Sequence, residues 1–337
     1  MPKKEFLKSA ATKKFYSRHF PVPARGCPAP CCKSTLKYFR SDLAAEWIDE
    51  QQPLPAGIRF EEGLLEGFSH GVLTVESDDA GKLFGRAEGR YETLQVGKLW
   101  LADERGCRRA SKAISQRLFA LLCELIKQSK GEDAALSEDM TVLVAGLGNR
   151  RMTADALGPM VVERITVTRH VKLLDPPLFE RLSHRSVAAL APGVLGDTGM
   201  ESAETIKALI STVHPDLILA VDALAAGSSE RLATTVQLST AGIAPGSGVG
   251  NDRPAFTKAQ LGVPVLALGV PTVVDSSTLV EEVLQKAGLH EQLTARPALS
   301  SLLDNGRSFF VSLKEADAAM EALSTVIANA IDSALSI

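Results

Sequence analysis

The chain of 337 residues lacks the features that mark several protein classes. It has no run of eighteen apolar residues, which argues against a helical membrane span. The opening stretch, MPKKEFLKSAATKKF, carries lysines with no apolar segment behind them, which argues against a secretory signal. Cysteine is sparse: Cys27, Cys31, Cys32, Cys107 and Cys123 make an odd number with no framework spacing. That is the pattern of reduced thiols in a cytoplasm. No segment repeats at the periods of solenoids, and the acidic body has no basic stripe interleaved with aromatics, so direct nucleic-acid binding by the body is not expected.

Missing motifs narrow the chemistry further. GLGNRR, residues 146–151, has arginine at Arg151 where the dinucleotide fingerprint needs its third glycine, and no Walker lysine follows a glycine pair at the proper spacing. The glycines there suit a tight strand-to-helix turn. Gly-x-Ser-x-Gly is absent, because Pro245 stands where the first glycine should be relative to Ser247. None of His19, His70, His170, His184, His214 and His290 is tied by sequence to a nucleophile. Cys27, Cys31 and Cys32 with His19 match no standard ligand spacing, so no metal or other cofactor is expected.

What is present is a charge asymmetry. The net charge is −3, yet residues 1–40 hold seven Lys and three Arg against Glu5 alone, about +9, leaving about −12 for the remainder. A basic leader precedes an acidic body, either as a solvated tail or docked on its own body or a partner. Four prolines and a glycine in FPVPARGCPAPCCKSTLKYFR exclude a continuous helix there.

Along the body, HGVLTVESDDAGKLFGRAEGRYETLQV reads as antiparallel strands at a sheet margin, separated by Asp-Asp-Ala-Gly and Glu-Gly. Residues 111–128 show helical spacing, with Ile114, Leu118, Leu121, Leu122 and Ile126 on one side and Cys123 in the core, and residues 129–139 form a polar linker. From residue 140, short Val/Leu/Ala runs alternate with helical stretches: TVLVAGLG, SVAALAPG, DLILAVDA and VPVLALGVPTVVD. This predicts an α/β fold, a mainly parallel sheet covered by helices on both faces, with antiparallel strands added near the N-terminal part. The expected division is a leader, 1–42, and a single domain, 43–337, made of a β-rich part with its helix (43–130) and an α/β core (139–337).

In such sheets chemistry gathers at the carboxyl ends of the strands. Asp155, in MTADALGP, and Asp222, in AVDALAAG, fall at that edge, as does the glycine-rich loop 245–252. Two carboxylates close together in a partly dry cleft can hold a shared proton; one then activates water while the other donates to a carbonyl or leaving amine. The plainer reading makes Asp155 a helix cap and Asp222 a strand end.

VAGLGNRRMTADALGPMVVERITVTRHV, APGVLGDTGMESAE, HPDLILAVDALAAGS, GIAPGSGVGNDR and LGVPVLALGVPTVVDSSTL, in that order, closely resemble the germination proteases of endospore-forming bacteria. The resemblance runs from about Tyr38 to about Thr278. It implies an endopeptidase of the spore core that degrades small acid-soluble spore proteins. It also implies an inactive precursor, usually tetrameric, that removes its own leader, with an aspartic-type mechanism. The family is similar in fold to hydrogenase-maturation endopeptidases, and that parallel makes Asp155 and Asp222 the acidic pair.

Family precursors carry at their processing site a motif like that of their substrates, Thr-Glu-Phe-Ala-Ser-Glu, cut after the first acid. SDLAAE, Ser41 to Glu46, fits that register and places self-cleavage between Asp42 and Leu43. Backbone donors near Gly146, Gly148 and Asn149, and near Gly246 and Gly248, are candidates to steady the scissile carbonyl. The family commonly carries proline where Ala154 stands, and the leader here is longer than usual and contains three cysteines. Two rivals follow: a nickel-dependent processing enzyme, which chelator would inactivate, and a non-enzymatic sensor binding peptide or DNA through the leader, which would show salt-sensitive DNA binding.

Overall fold

A computed structural model describes residues 38–50, 53–244, 254–304 and 309–337. The leader up to residue 37 and the loop carrying Gly246 and Gly248 lie outside the described residues. Residues 34–337 form one compact unit.

One sheet organises the chain. Its strands are β1 (Ile58–Leu65), β2 (Phe68–Val75), β3 (Gly89–Gln95), β4 (Thr141–Gly146), β5 (Ser186–Leu190), β6 (Leu217–Ala226), β7 (Thr235–Ser239), β8 (Val265–Asp275) and β9 (Phe310–Ser312). The spatial order is β1-β2-β3-β7-β8-β6-β4-β5, with β9 also on β8. β8, β6, β4 and β5 are mutually parallel and form the core. β1, β2, β3 and β7 add an antiparallel half, so the N-terminal β-rich part and the α/β core share one sheet.

The parallel strands read as unbroken apolar runs because both their faces are covered. On one face Val142, Val144, Leu219, Val221 and Leu268 pack against helices Glu104–Lys130 and Ala316–Leu335. Ile114, Leu118, Leu121, Leu122 and Ile126, the apolar side of the predicted helix 111–128, are all buried in that layer. On the other face Leu143, Ala145, Ile218 and Ala220 meet Ala203 and Ile206 of helix Ser202–Val213, together with Phe256. Among the described residues no helix is long and apolar enough to cross a membrane.

Two local readings of the sequence are corrected. Asp-Asp-Ala-Gly does separate antiparallel β2 from β3, but as the start of helix Asp78–Phe84 rather than as a turn. The Ser77 side chain accepts the Ala80 N–H at 3.3 Å, Asp78 and Asp79 sit in the first turn where the helix dipole favours acids, and Gly85 closes the helix at φ +79°. Asp222 does not end its strand: β6 continues to Ala226. It is β4 that stops, at Gly146 opposite Val221, so Asp222 is the first residue of β6 beyond its neighbour.

Candidate active site

β4 ends at Gly146, and the chain turns across the sheet edge to helix Leu157–Val162. This crossing is tight. A side chain on Gly158 would place its Cβ 2.5 Å from the Val221 carbonyl oxygen and 2.3 Å from that of Leu147, while a Cβ on Gly146 would meet the Gly158 carbonyl at 2.3 Å. The Leu147 N–H continues the ladder by donating to the Val221 carbonyl at 2.8 Å. Gly146 and Gly158 thus let helix and strand ends approach at backbone distance.

Gly148 adopts φ +110°, a conformation that side chains rarely tolerate. Its missing Cβ would lie 2.1 Å from the Asp155 carbonyl oxygen and 2.8 Å from Asp155 Oδ1. The next residue donates: the Asn149 N–H reaches Asp155 Oδ2 at 2.8 Å. The GLGN turn therefore folds round Asp155, and its amide at Asn149 serves that carboxylate directly. Asp155 closes the 3-10 turn Thr153–Asp155, which packs against β6 and β8; Thr272 of β8 donates its hydroxyl to the Ala154 carbonyl.

Asp222 is buried, with Oδ1 accepting the Ala223 N–H at 2.9 Å. It stands opposite Gly269 on β8, and Gly269 stands opposite Gln237 on β7, so the three share one row across the sheet and one face. On that face lies a cavity of about 290 Å³ lined by Asp42, Tyr91, Leu224, Gln237, Ser239 and Gly269 among others. A larger groove, about 1250 Å³, runs between helices Glu104–Lys130 and Ala316–Leu335, and neither Asp155 nor Asp222 lines either space.

The predicted processing segment lies against this same part of the sheet. The Asp42 N–H donates to the Ala225 carbonyl at 2.9 Å, and the Ala225 N–H donates to Asp42 Oδ2 at 2.9 Å. Leu43 is fully buried with Leu224, Ala226, Leu232 and Val274. The Glu46 carboxylate, also buried, accepts the N–H groups of Gly227 at 2.6 Å and Ser228 at 3.0 Å, bonds the Ser41 hydroxyl and lies 3.5 Å from Arg231. Burial pushes the Glu46 pKa up, against the pull of Ser41, Gly227, Arg231 and Ser228. Arg86 donates to the Ser41 carbonyl and lies over the Trp47 ring.

Among the described residues no group of three or more His, Cys, Asp or Glu side chains has the arrangement of a metal centre.

Sequence reasoning missed Gln237, Arg86 and Arg231. Gln237 had one signal, an amide in the otherwise apolar strand TVQLS, which a buried polar partner must explain.

The fold is an α/β sheet with Asp155 and Asp222 near the level where β4 ends, and the family that the sequence matches makes the chain a peptidase. The chain belongs to the germination protease family, whose sequence profile matches residues 43–290. It is 35% identical over 323 residues to the germination protease of Clostridium acetobutylicum, covering 89% of this chain and 96% of that protein. It is 40% identical over 271 residues to that of Caldanaerobacter subterraneus subsp. tengcongensis, covering 79% of each, and 39% identical over 282 residues to that of Bacillus subtilis, covering 80% of this chain and 73% of the relative. Among solved structures, a NiFe hydrogenase maturation protease from Thermococcus kodakarensis aligns with 40% of this chain and 76% of its own, at 22% identity and a TM-score of 0.27.

Proposed function

We propose that this peptidase hydrolyses peptide bonds with Asp155 and Asp222 as its acidic pair, and that it is made as a zymogen cut between Asp42 and Leu43. The observation that carries the reading is the turn at Gly148 and Asn149, which is built round the Asp155 carboxylate at the level where β4 ends and Asp222 begins the free edge of β6. One acid takes a proton from water as its oxygen attacks the carbonyl carbon. The other gives a proton to the amide nitrogen as the carbon–nitrogen bond breaks, leaving a carboxylate and an amine.

The substrates in this reading are small acid-soluble spore proteins, met in the spore core by a homotetramer. An extended, flexible peptide is required, so a substrate still wrapped on DNA resists. Loss of residues 1–42 takes the basic leader away and leaves a body of about −11. The reading is tested by following the mass of the full-length chain with time: it expects a new N-terminus at Leu43 that does not form when Asp155 or Asp222 is Asn. A chain fully active while still beginning at Met1 would contradict the zymogen, and light scattering decides the tetramer.

A further inference from the structure

The side-chain amide of Gln237 spans the predicted scissile bond. Its Nε2 donates to the Asp42 carbonyl oxygen at 3.1 Å, and its Oε1 accepts the Ala44 N–H at 2.7 Å. The peptide between Asp42 and Leu43 is thereby held by its carbonyl, and the following amide is held by the same side chain. Ser41 completes the grip, its Oγ accepting the Leu43 N–H at 2.9 Å.

Gln237 is buried and projects from a short strand in the middle of the sheet, so it is a rigid donor. The rest of the segment is fixed independently: Asp42 is laddered to Ala225 and Leu43 is packed in its apolar cluster. Asp42 thus lies against the part of β6 that runs beyond the end of β4, and Gln237, on β7 with Gly269 of β8 between it and β6, reaches its carbonyl.

We infer that Gln237 is the donor that holds the carbonyl of the Asp42–Leu43 bond and stabilises the oxyanion formed there during self-cleavage. This rests on the proposed processing site. When water attacks the Asp42 carbonyl carbon, the carbonyl electron pair moves to oxygen, and the Nε2–H is already directed at it. The pair returns as the bond to the Leu43 nitrogen breaks, that nitrogen takes a proton and leaves as an amine, and Asp42 keeps the new carboxylate. A preorganised donor aimed at a developing oxyanion contributes about 100-fold or more in rate.

The test uses the full-length chain and two variants. Q237E keeps shape and the acceptor facing Ala44 but turns the donor into an acceptor; Q237N keeps the amide but is one carbon too short to reach both groups. Self-processing is followed by mass spectrometry over a pH series, with thermal melts to confirm folding. Both variants should process at least about 100-fold more slowly than the parent at neutral pH. As pH falls, the rate of Q237E relative to the parent should rise, because a protonated carboxyl regains a donor, whereas that of Q237N should not. Parental rates in either folded variant, or slow processing of Q237E with no relative recovery in acid, would overturn the inference. A parent that acquires an N-terminus elsewhere than Leu43 would instead defeat the processing site itself, and that outcome is visible before any variant is compared.

Discussion

Asp222 and Gln237 stand in one row of the sheet, two strands apart with only Gly269 between them. At ordinary strand spacing their Cα atoms are about 10 Å apart, and both side chains leave the same face. A Cβ on Gly269 would lie 2.5 Å from Leu224 Cδ1, so the glycine lets Leu224 lie across the row as a floor, and Leu43 packs on it. The arrangement suits a peptide crossing from the Gln237 side toward the acid.

Asp222→Asn and Asp155→Asn should each lower peptide hydrolysis by about 100-fold to 10,000-fold, the span of a lost general acid or base. Both changes keep side-chain shape, so melting temperatures should move little. Initial rates on a peptide spanning residues 38–48, with the melts beside them, check this.

Gly148→Ala should damage activity more than stability. The new methyl would strike the Asp155 carbonyl at 2.1 Å and force alanine into φ +110°, displacing the acid from the Asn149 amide. A loss of at least about tenfold in kcat is expected where a reacting group is misplaced. A variant with the parental kcat would show that the turn does not govern Asp155.

Glu46→Ala should loosen the processing segment. It strips the partner from the N–H groups of Gly227 and Ser228 and from Arg231, at a cost of about 2 to 4 kcal/mol. Denaturant unfolding gives the stability, and limited proteolysis should show faster nicking near residues 38–46. Unchanged protection would mean that Leu43 and Asp42 hold the segment without it.

Glu92 gives the fold an acid sensitivity. Burial raises its pKa, but His70, Arg117 and Arg90 outweigh this and hold it at about 2, below the ordinary 4.5. A depressed carboxylate stabilises the fold above its unfolded value and loses that contribution as pH falls through the folded one. Up to about 3 kcal/mol should therefore disappear between pH 4.5 and 2. Urea unfolding at stepped pH should show a slope in this window that Glu92→Gln flattens.

The parallel core and its two helical covers were legible because Val/Leu/Ala runs and the spacing of Ile114, Leu118 and Leu122 report burial directly. Asp155 and Asp222 were legible as acids after apolar runs, though the strand end was misplaced, since nothing in AVDALAAG says that β6 runs on to Ala226 after β4 stops opposite Val221. Helix Asp78–Phe84 was hidden because Ser-Asp-Asp serves turns and helix N-termini alike. The grip on SDLAAE was not legible at all: Arg231 and Gln237 lie far along the chain from Ser41–Glu46 and reach it only once the antiparallel half joins β8.

The most direct test of the acidic pair is mass spectrometry of a small acid-soluble spore protein incubated with the chain beginning at Leu43, beside the same chain carrying Asp155→Asn or Asp222→Asn. The account predicts cleavage after the first acid of the substrate motif by the parent and intact substrate with either variant. Cleavage at the parental rate by a variant, or intact substrate with the parent, would contradict it.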